Sequence, residues 1–554
     1  MSRAIATARL PAPDSLSLAE QVAQMVVVRA SGHLFDHEIR YPAWEADGAT
    51  LTHYVEELGV GGVILLGGSA AEVGLKTQAL QAQARIPLLI AADLEEGVGQ
   101  RFSGATWFPP PMALSAVADR ARALAYAEGF GASTAAEALA LGINWVLAPV
   151  VDINNNRHNP VINVRAFGDT VAEVTALTQA FLRGAQTQPV LTTAKHFPGH
   201  GDTATDSHLT LPVLPHSLER LQGLELEPFR GAIAAGVDTI MTAHLHIPAL
   251  DRHHPSTLSA PTLTGLLRQQ LGFDGLIVTD ALVMGAITHT YGPYEAAVLA
   301  VEAGADVLLM PSDPEGAIAA VVEAVHRGRL APERILASVE RIWRAKQKAA
   351  PALLADGAGH AWEHLPPPPV QWHGVAQPRT RQLAADILTA SMTVRGQVDP
   401  CTEEATGDNV VIVDNVLDCR YLDRTAAAIA WPQHHHYRLR LLDTQGCEQW
   451  PQGDRQGDDL NPSLVQIFVR GNPFRGSANL MHLATTWLEA LQSAHQLRGV
   501  VVYGSPYAFE ELCRHLGNIP HGFTYGQMPL AQSLILPALL PSPGVTMLRR
   551  EFTD

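Results

Sequence analysis

Cysteine is scarce in this chain: four in 554 residues, Cys401, Cys419, Cys447 and Cys513, all in the last third. So few, at spacings that fit no zinc pattern, exclude a disulfide framework; a single pair stays open as the alternative to the preferred reading, free buried thiols. Long apolar runs are missing as well. No stretch approaches the roughly 20 residues that a membrane helix needs. The N-terminal segment MSRAIATARLPAPDSLSLAEQ lacks the sustained apolar core of a secretion signal, so a cytoplasmic protein is expected. Positive charge is in deficit, with 38 Lys and Arg against 55 Asp and Glu and a formal net charge of −17. Nucleic acid and anionic membrane surfaces both call for a basic footprint, and the composition argues against either as a partner. Internal repeats are not visible.

What is present is a globular composition, 47% hydrophobic and 17% charged, in a chain too long for one ordinary core. From about residue 20 to 350, apolar runs alternate with helical stretches, the mark of a parallel α/β fold. The candidate strands are 25–29, 62–66, 87–93, 143–152, 190–196, 237–244, 274–280 and 305–310. Several are continuously apolar, as strands buried on both faces must be. Eight is the number that a TIM-type (β/α)8 barrel requires, although an open doubly wound sheet would alternate similarly. Between the runs lie good helix formers such as TAAEALALG and ALTQAFLRGAQ, read as stopping at their glycines.

The barrel is assigned to residues 1–350. A Pro-rich linker follows at 351–378, where Pro366 to Pro369 cannot lie in a helix or central strand. A smaller C-terminal α/β domain, 379–554, begins with the helix RQLAADILTASM and continues with strands at 409–414, 463–471 and 499–505. Its HHHY run (434–437) is read as a surface loop rather than a metal site, and the tail ILPALLPSPGV (535–545) as packing along a domain surface.

Polar residues gather just after the strands: Asp93, Asp152, Lys195 with His196, His244 and Asp280. Barrel active sites are assembled from several strand ends in this way. The richest stretch is KHFPGHGDTATDSH, Lys195 to His208. An apolar strand ends there in Lys195 and His196, Gly199 and Gly201 permit an abrupt loop, and Asp206 and His208 stand two residues apart. A carboxylate beside an imidazole can fix its tautomer and raise its pKa, which suits a general acid/base near neutral pH.

This KHFPGHG loop, followed by DSH, resembles the family 3 glycoside hydrolases, and within them the β-N-acetylglucosaminidases, of which the DSH pair is the distinguishing mark. The segment VTDALVMGAI resembles the nucleophile segment of the two-domain members. On local sequence alone, Asp280 reads equally as a helix N-cap or as a nucleophile delivered by a buried strand; the resemblance implies the nucleophile. It also implies that His208, paired with Asp206, replaces the usual carboxylic acid as proton donor. ADLEEGVGQRF resembles the sugar-binding segment, implying that Asp93 accepts from sugar hydroxyls and Arg101 donates to one. Glu96 there stands for a usual glycine and Val98 for a usual arginine, which puts the shape of the loop in question. NVRAFG brings in Arg165, and Lys195 and His196 are implied to bind adjacent hydroxyls, with a structural ion pair as the alternative for Lys195. The role of His244 stays open.

The expected function is a retaining exo-β-N-acetylglucosaminidase that hydrolyses terminal β-linked N-acetylhexosamine through a covalent glycosyl-Asp280 intermediate. It would take a carbohydrate substrate, without cofactor or metal, and recycling of cell-wall fragments is the role implied by the resemblance. A homodimer and the role of the second domain are left open. A phosphorylase of the same family is a close alternative, because a histidine donor repels phosphate less than a carboxylate does. Two further readings are a metal-dependent barrel hydrolase built on His244-x-His246, and a sugar-binding protein without turnover.

Overall fold

The apolar runs fold as staves. The computed structural model describes residues 10–203, 211–349, 370–444, 461–470, 478–514 and 516–542. Eight strands form one sheet: β1 (Val26–Ser31), β2 (Gly62–Leu66), β3 (Leu89–Ala92), β4 (Trp145–Val146), β5 (Leu191–Phe197), β6 (Thr239–Thr242), β7 (Leu276–Val278) and β8 (Leu308–Leu309). From β1 to β7 each pairs in parallel with the next, and β1 also pairs in parallel with β8. At the seam between β7 and β8 the parallel bridge Val278–Val307 nearly closes the ring. An open doubly wound sheet has two free edges, so this is the barrel.

The ladder of β4 is much shorter than the apolar run 143–152. Pro149 has no N–H to give, and beyond it the chain holds its neighbour through single bonds such as Val151 N to Lys195 O, 2.8 Å. Between β4, β5 and β6 the fully buried Trp145 donates its indole N–H to Thr193 Oγ1 at 2.9 Å, which stands 2.6 Å from Thr239 Oγ1. A buried indole needs such a partner.

Helix starts follow local chemistry. Ser17 with Glu20, and Ser69 with Glu72, form reciprocal capping boxes. The helix Arg120–Ala140 ends just before Gly142, as its sequence suggested. Gly184 is a correction: it lies inside the helix Val171–Ala185 rather than stopping it. A Cβ there would come within 1.8 Å of Glu128 O, so this glycine lets two helices approach closely.

The chain divides into two compact units, 1–114 with 119–383, and 384–554 with 115–118. The second holds a six-stranded sheet of β9 (Thr393–Arg395), β10 (Gly407–Val413), β11 (Tyr437–Asp443), β12 (Ser463–Val469), β13 (Leu497–Gly504) and β14 (His521–Thr524), in the order β11-β10-β12-β13-β14-β9. It is parallel apart from β9, which runs against β14.

Two expectations for this unit are overturned. The HHHY run is no surface loop: it turns the helix Ala427–His434 into β11, with His435 and Tyr437 buried. His435 bonds Trp431 O at 2.9 Å and Ser542 Oγ at 3.0 Å, so its ring closes a helix end. The C-terminal apolar segment enters the core instead of lying on the surface. Its helix Pro529–Leu539 buries Ile535, Leu536 and Leu539 against Val411, Phe468 and Tyr503. Apolar spacing over two turns outweighed the proline at 537.

Cys401, Cys419 and Cys513 are free and half-buried, rather than fully buried. Cys447, the four prolines Pro366 to Pro369 and the end of the tail (543–545) lie outside the described residues. Among those described, no helix is long and apolar enough to cross a membrane.

Candidate active site

Residues at the C-terminal ends of β3 and β5 meet in a network of buried charge. A register irregularity in β5 falls between Lys195 and Phe197. Such a bulge breaks strict alternation, so that neighbouring side chains can both turn toward the barrel mouth. Lys195 Nζ lies 2.7 Å from Asp93 Oδ1 and 2.7 Å from Glu95 Oε1. Glu95 also takes the fork of Arg165, Nε to Oε2 and Nη2 to Oε1, both at 2.8 Å. Arg101 donates to Asp93 O at 3.0 Å, and its guanidinium lies 3.6 Å from Asp93 Oδ2.

Burial alone would raise both carboxyls. Arg165 and Lys195 outweigh it and hold Glu95 well below its usual range, while Lys195 and Arg101 lower Asp93. Burial would likewise lower the Lys195 ammonium, but the two acids raise it. All of these groups stay ionised across the physiological range. Glu95 and Lys195 each keep only 2% of their side chains exposed, against 23% for Asp93 and 30% for Arg101. Arg165 keeps 19%, so Arg101 and Asp93 are the most exposed members of the network, with Arg165 next.

A second cluster links the loops after β4 and β5. Asp152, fully buried, accepts from His196 Nδ1 at 2.8 Å and from the backbone N–H of His200 at 2.7 Å. Burial would raise this carboxyl, but the hydrogen bond and charge of His196 lower it. Asn159 donates to the carbonyls of His200 and Gly201, both at 2.8 Å. Gly201 is required here, since a Cβ would sit 1.7 Å from Ile153 O. Burial pushes the His200 imidazole down to about 4, against the charge of Asp152 and, more weakly, of Asp280.

Asp280 follows β7. Its backbone N–H donates to Thr242 Oγ1, at the end of β6, at 3.2 Å, and its Oδ1 accepts from Ala281 N at 2.8 Å. The next helix, Gly285–Tyr291, has Met284 at its N-cap, which removes the capping explanation for Asp280. His244 is fully buried beside it, with Nδ1 2.8 Å from Thr257 Oγ1 and Nε2 3.1 Å from Ala281 O. Both ring nitrogens thus have protein partners, so His244 has no lone pair to offer a metal in the His244-x-His246 arrangement.

The structure therefore brings Asp93, Arg101, Arg165 and Lys195 into one network, sets His196 on Asp152, and places Asp280 at the end of β7. Lys195 has the ion pairs that formed its structural alternative. Asp206 and His208 lie outside the described residues. Of the two departures in the β3 loop, Glu96 is buried and accepts from Trp107 Nε1 at 2.9 Å, and Val98 is buried in a short 3-10 turn. Sequence reading missed Glu95, one of two adjacent glutamates with nothing local to rank them. It also left Asp152 as one strand-end acid among several and gave no signal for Thr242 or Thr257.

Residues 17–345 match the glycosyl hydrolase family 3 N-terminal domain, and residues 401–541 the bacterial glycosyl hydrolase family 3 C-terminal domain. The chain belongs to glycosyl hydrolase family 3. Among its relatives, a beta-hexosaminidase A of Pseudoalteromonas piscicida is 34% identical over 329 residues, covering 54% of this chain and 55% of that protein. The chain thus spans little more than half the length of that relative. A beta-hexosaminidase of Alkalilimnicola ehrlichii is 38% identical over 262 residues, covering 46% of this chain and 75% of its own. Among solved structures, a family 3 beta-N-acetylglucosaminidase from Paenibacillus sp. str. FPU-7 aligns over 95% of this chain and 96% of its own, with a TM-score of 0.75 and 31% identity. The two-domain family 3 architecture is therefore this chain's architecture.

Proposed function

We propose that the chain is a retaining exo-β-N-acetylglucosaminidase, acting in the cytoplasm on cell-wall fragments. The observation that carries this reading is Asp280: a carboxylate at a barrel strand end, fixed from β6 and from its own turn rather than capping a helix. The relatives named beta-hexosaminidase and the aligned beta-N-acetylglucosaminidase support the choice of sugar.

In the first step an Asp280 oxygen attacks the anomeric carbon while the glycosidic C–O bond breaks. His208, oriented by Asp206, gives its proton to the departing oxygen. In the second step water attacks the same carbon, His208 takes the water's proton, and the Asp280 carboxylate leaves. Two inversions at one carbon retain the anomeric configuration. Asp93 and Arg101, the exposed edge of the charge network, accept from and donate to sugar hydroxyls. Lys195, His196 and Arg165 complete the polar wall, with their partners holding them oriented before the sugar arrives.

The test compares aryl β-N-acetylglucosaminide with aryl β-glucoside, each with and without inorganic phosphate, following the first-formed anomer by NMR. Preference for the acetamido sugar, a β-anomeric product and indifference to phosphate are expected. An α-anomeric product would contradict the mechanism. Phosphate stimulation with a sugar-phosphate product would replace hydrolysis by phosphorolysis.

A further inference from the structure

We infer that His244 is a positioning residue for Asp280, acting through a hydrogen-bonded ring that clamps the backbone on both sides of the carboxylate. The inference rests on the reading of Asp280 as nucleophile. The chain around Asp280 belongs to no regular element, since β7 ends at Val278 and the next helix begins at Gly285. Its orientation must come from elsewhere, and β6 with the segment after it supplies the contacts. The Asp280 N–H donates to Thr242 Oγ1 at 3.2 Å. Thr242 Oγ1 stands 2.8 Å from Thr257 Oγ1, which stands 2.8 Å from His244 Nδ1. His244 Nε2 then reaches Ala281 O at 3.1 Å, and the Ala281 N–H closes the ring on Asp280 Oδ1 at 2.8 Å.

Proton directions follow from chemistry. A carbonyl only accepts, so Nε2 carries the hydrogen that bonds Ala281 O. With the ring neutral, Nδ1 accepts from Thr257, Thr257 accepts from Thr242, and Thr242 accepts the Asp280 N–H. With the ring protonated, Nδ1 donates to Thr257, whose own proton turns to Ala243 O, 3.1 Å away. In both states the Nε2–H grips Ala281. That residue's N–H fixes the carboxylate, so His244 sets the attacking oxygen without touching sugar. His244, Thr242 and Thr257 are fully buried, which protects these bonds from exchange with water.

The test measures kcat and KM, per folded molecule, for Thr257→Val, Thr257→Ser, His244→Asn and Asp280→Asn on an aryl β-N-acetylglucosaminide. Misplacing a reacting group by about 1 Å costs on the order of 100-fold. Thr257→Val and His244→Asn are therefore expected to lose about 10- to 100-fold in kcat, with KM changed by less than about threefold. Thr257→Ser, which keeps the hydroxyl, should recover most of the rate. If His244→Asn fails to fold, the Thr257 pair carries the test, because it leaves the imidazole in place. Wild-type kcat in Thr257→Val, a rise in KM alone, or a loss that only tracks the unfolded fraction would overturn the proposal. An Asp280→Asn enzyme as fast as wild type would instead remove the nucleophile reading and this inference with it.

Discussion

Lys195 and Glu95 form a fully buried ion pair, Nζ to Oε1 at 2.7 Å, in which each partner is shared: the lysine with Asp93, the glutamate with Arg165. Removing the glutamate would leave two buried cations facing one acid. Glu95→Ala is expected to lower unfolding stability by about 3–5 kcal/mol, and Glu95→Gln, which keeps the shape, by less. Urea denaturation checks this. A wild-type midpoint for Glu95→Ala would mean that the network does not hold the site together.

Asp93 is the more exposed acceptor of that network, so its effect should appear in binding. A hydrogen bond to a charged group is worth about 1.5–3 kcal/mol, or roughly 10- to 100-fold in kcat/KM. Asp93→Asn is expected to lose that much on an aryl β-N-acetylglucosaminide. An unchanged kcat/KM would take Asp93 out of the sugar site.

Acid should weaken the fold in a defined window. Burial holds His200 at about 4 when folded, against an ordinary 6.5. Between those values the unfolded chain binds the extra proton, so stability falls as the pH drops from 6.5 to 4. At about 1.4 kcal/mol per unit the loss reaches about 3 kcal/mol. Asp93, Glu95 and Asp152, whose folded values are depressed, add losses only at lower pH, as it falls through those values. His200→Gln should flatten the upper window and leave the lower one. Parallel curves for wild type and variant would contradict this account.

The barrel was largely legible because parallel strands buried on both faces write themselves as apolar runs, and all eight fall on predicted runs. The second unit was harder. β11 lies at a sheet edge and carries charge in YRLRLLD, while β9 and β14 are too short to stand out. The histidine run at 434–437 misled because composition cannot tell an exposed imidazole from one that closes a helix end.

At the site, strand ends marked by a single acid or base were found from sequence. Glu95 was not, because only the fold decides which of two adjacent glutamates meets Arg165. Thr257 was out of reach as well. It lies 23 residues before Asp280, on the segment after β6, and a threonine there carries no local mark. What links the two is a chain of hydrogen bonds across strands, which sequence order does not encode.

The central claim is that Asp280 carries the glycosyl group. A 5-fluoro-N-acetylglucosaminyl fluoride, whose fluoride leaves readily while the ring fluorine slows release of the sugar from the enzyme, would be incubated with the protein and the digest read by mass spectrometry. The account predicts one added fluorosugar on the peptide spanning Asp280, and none in Asp280→Asn. Labelling of a different carboxylate, or rapid turnover by Asp280→Asn, would contradict it.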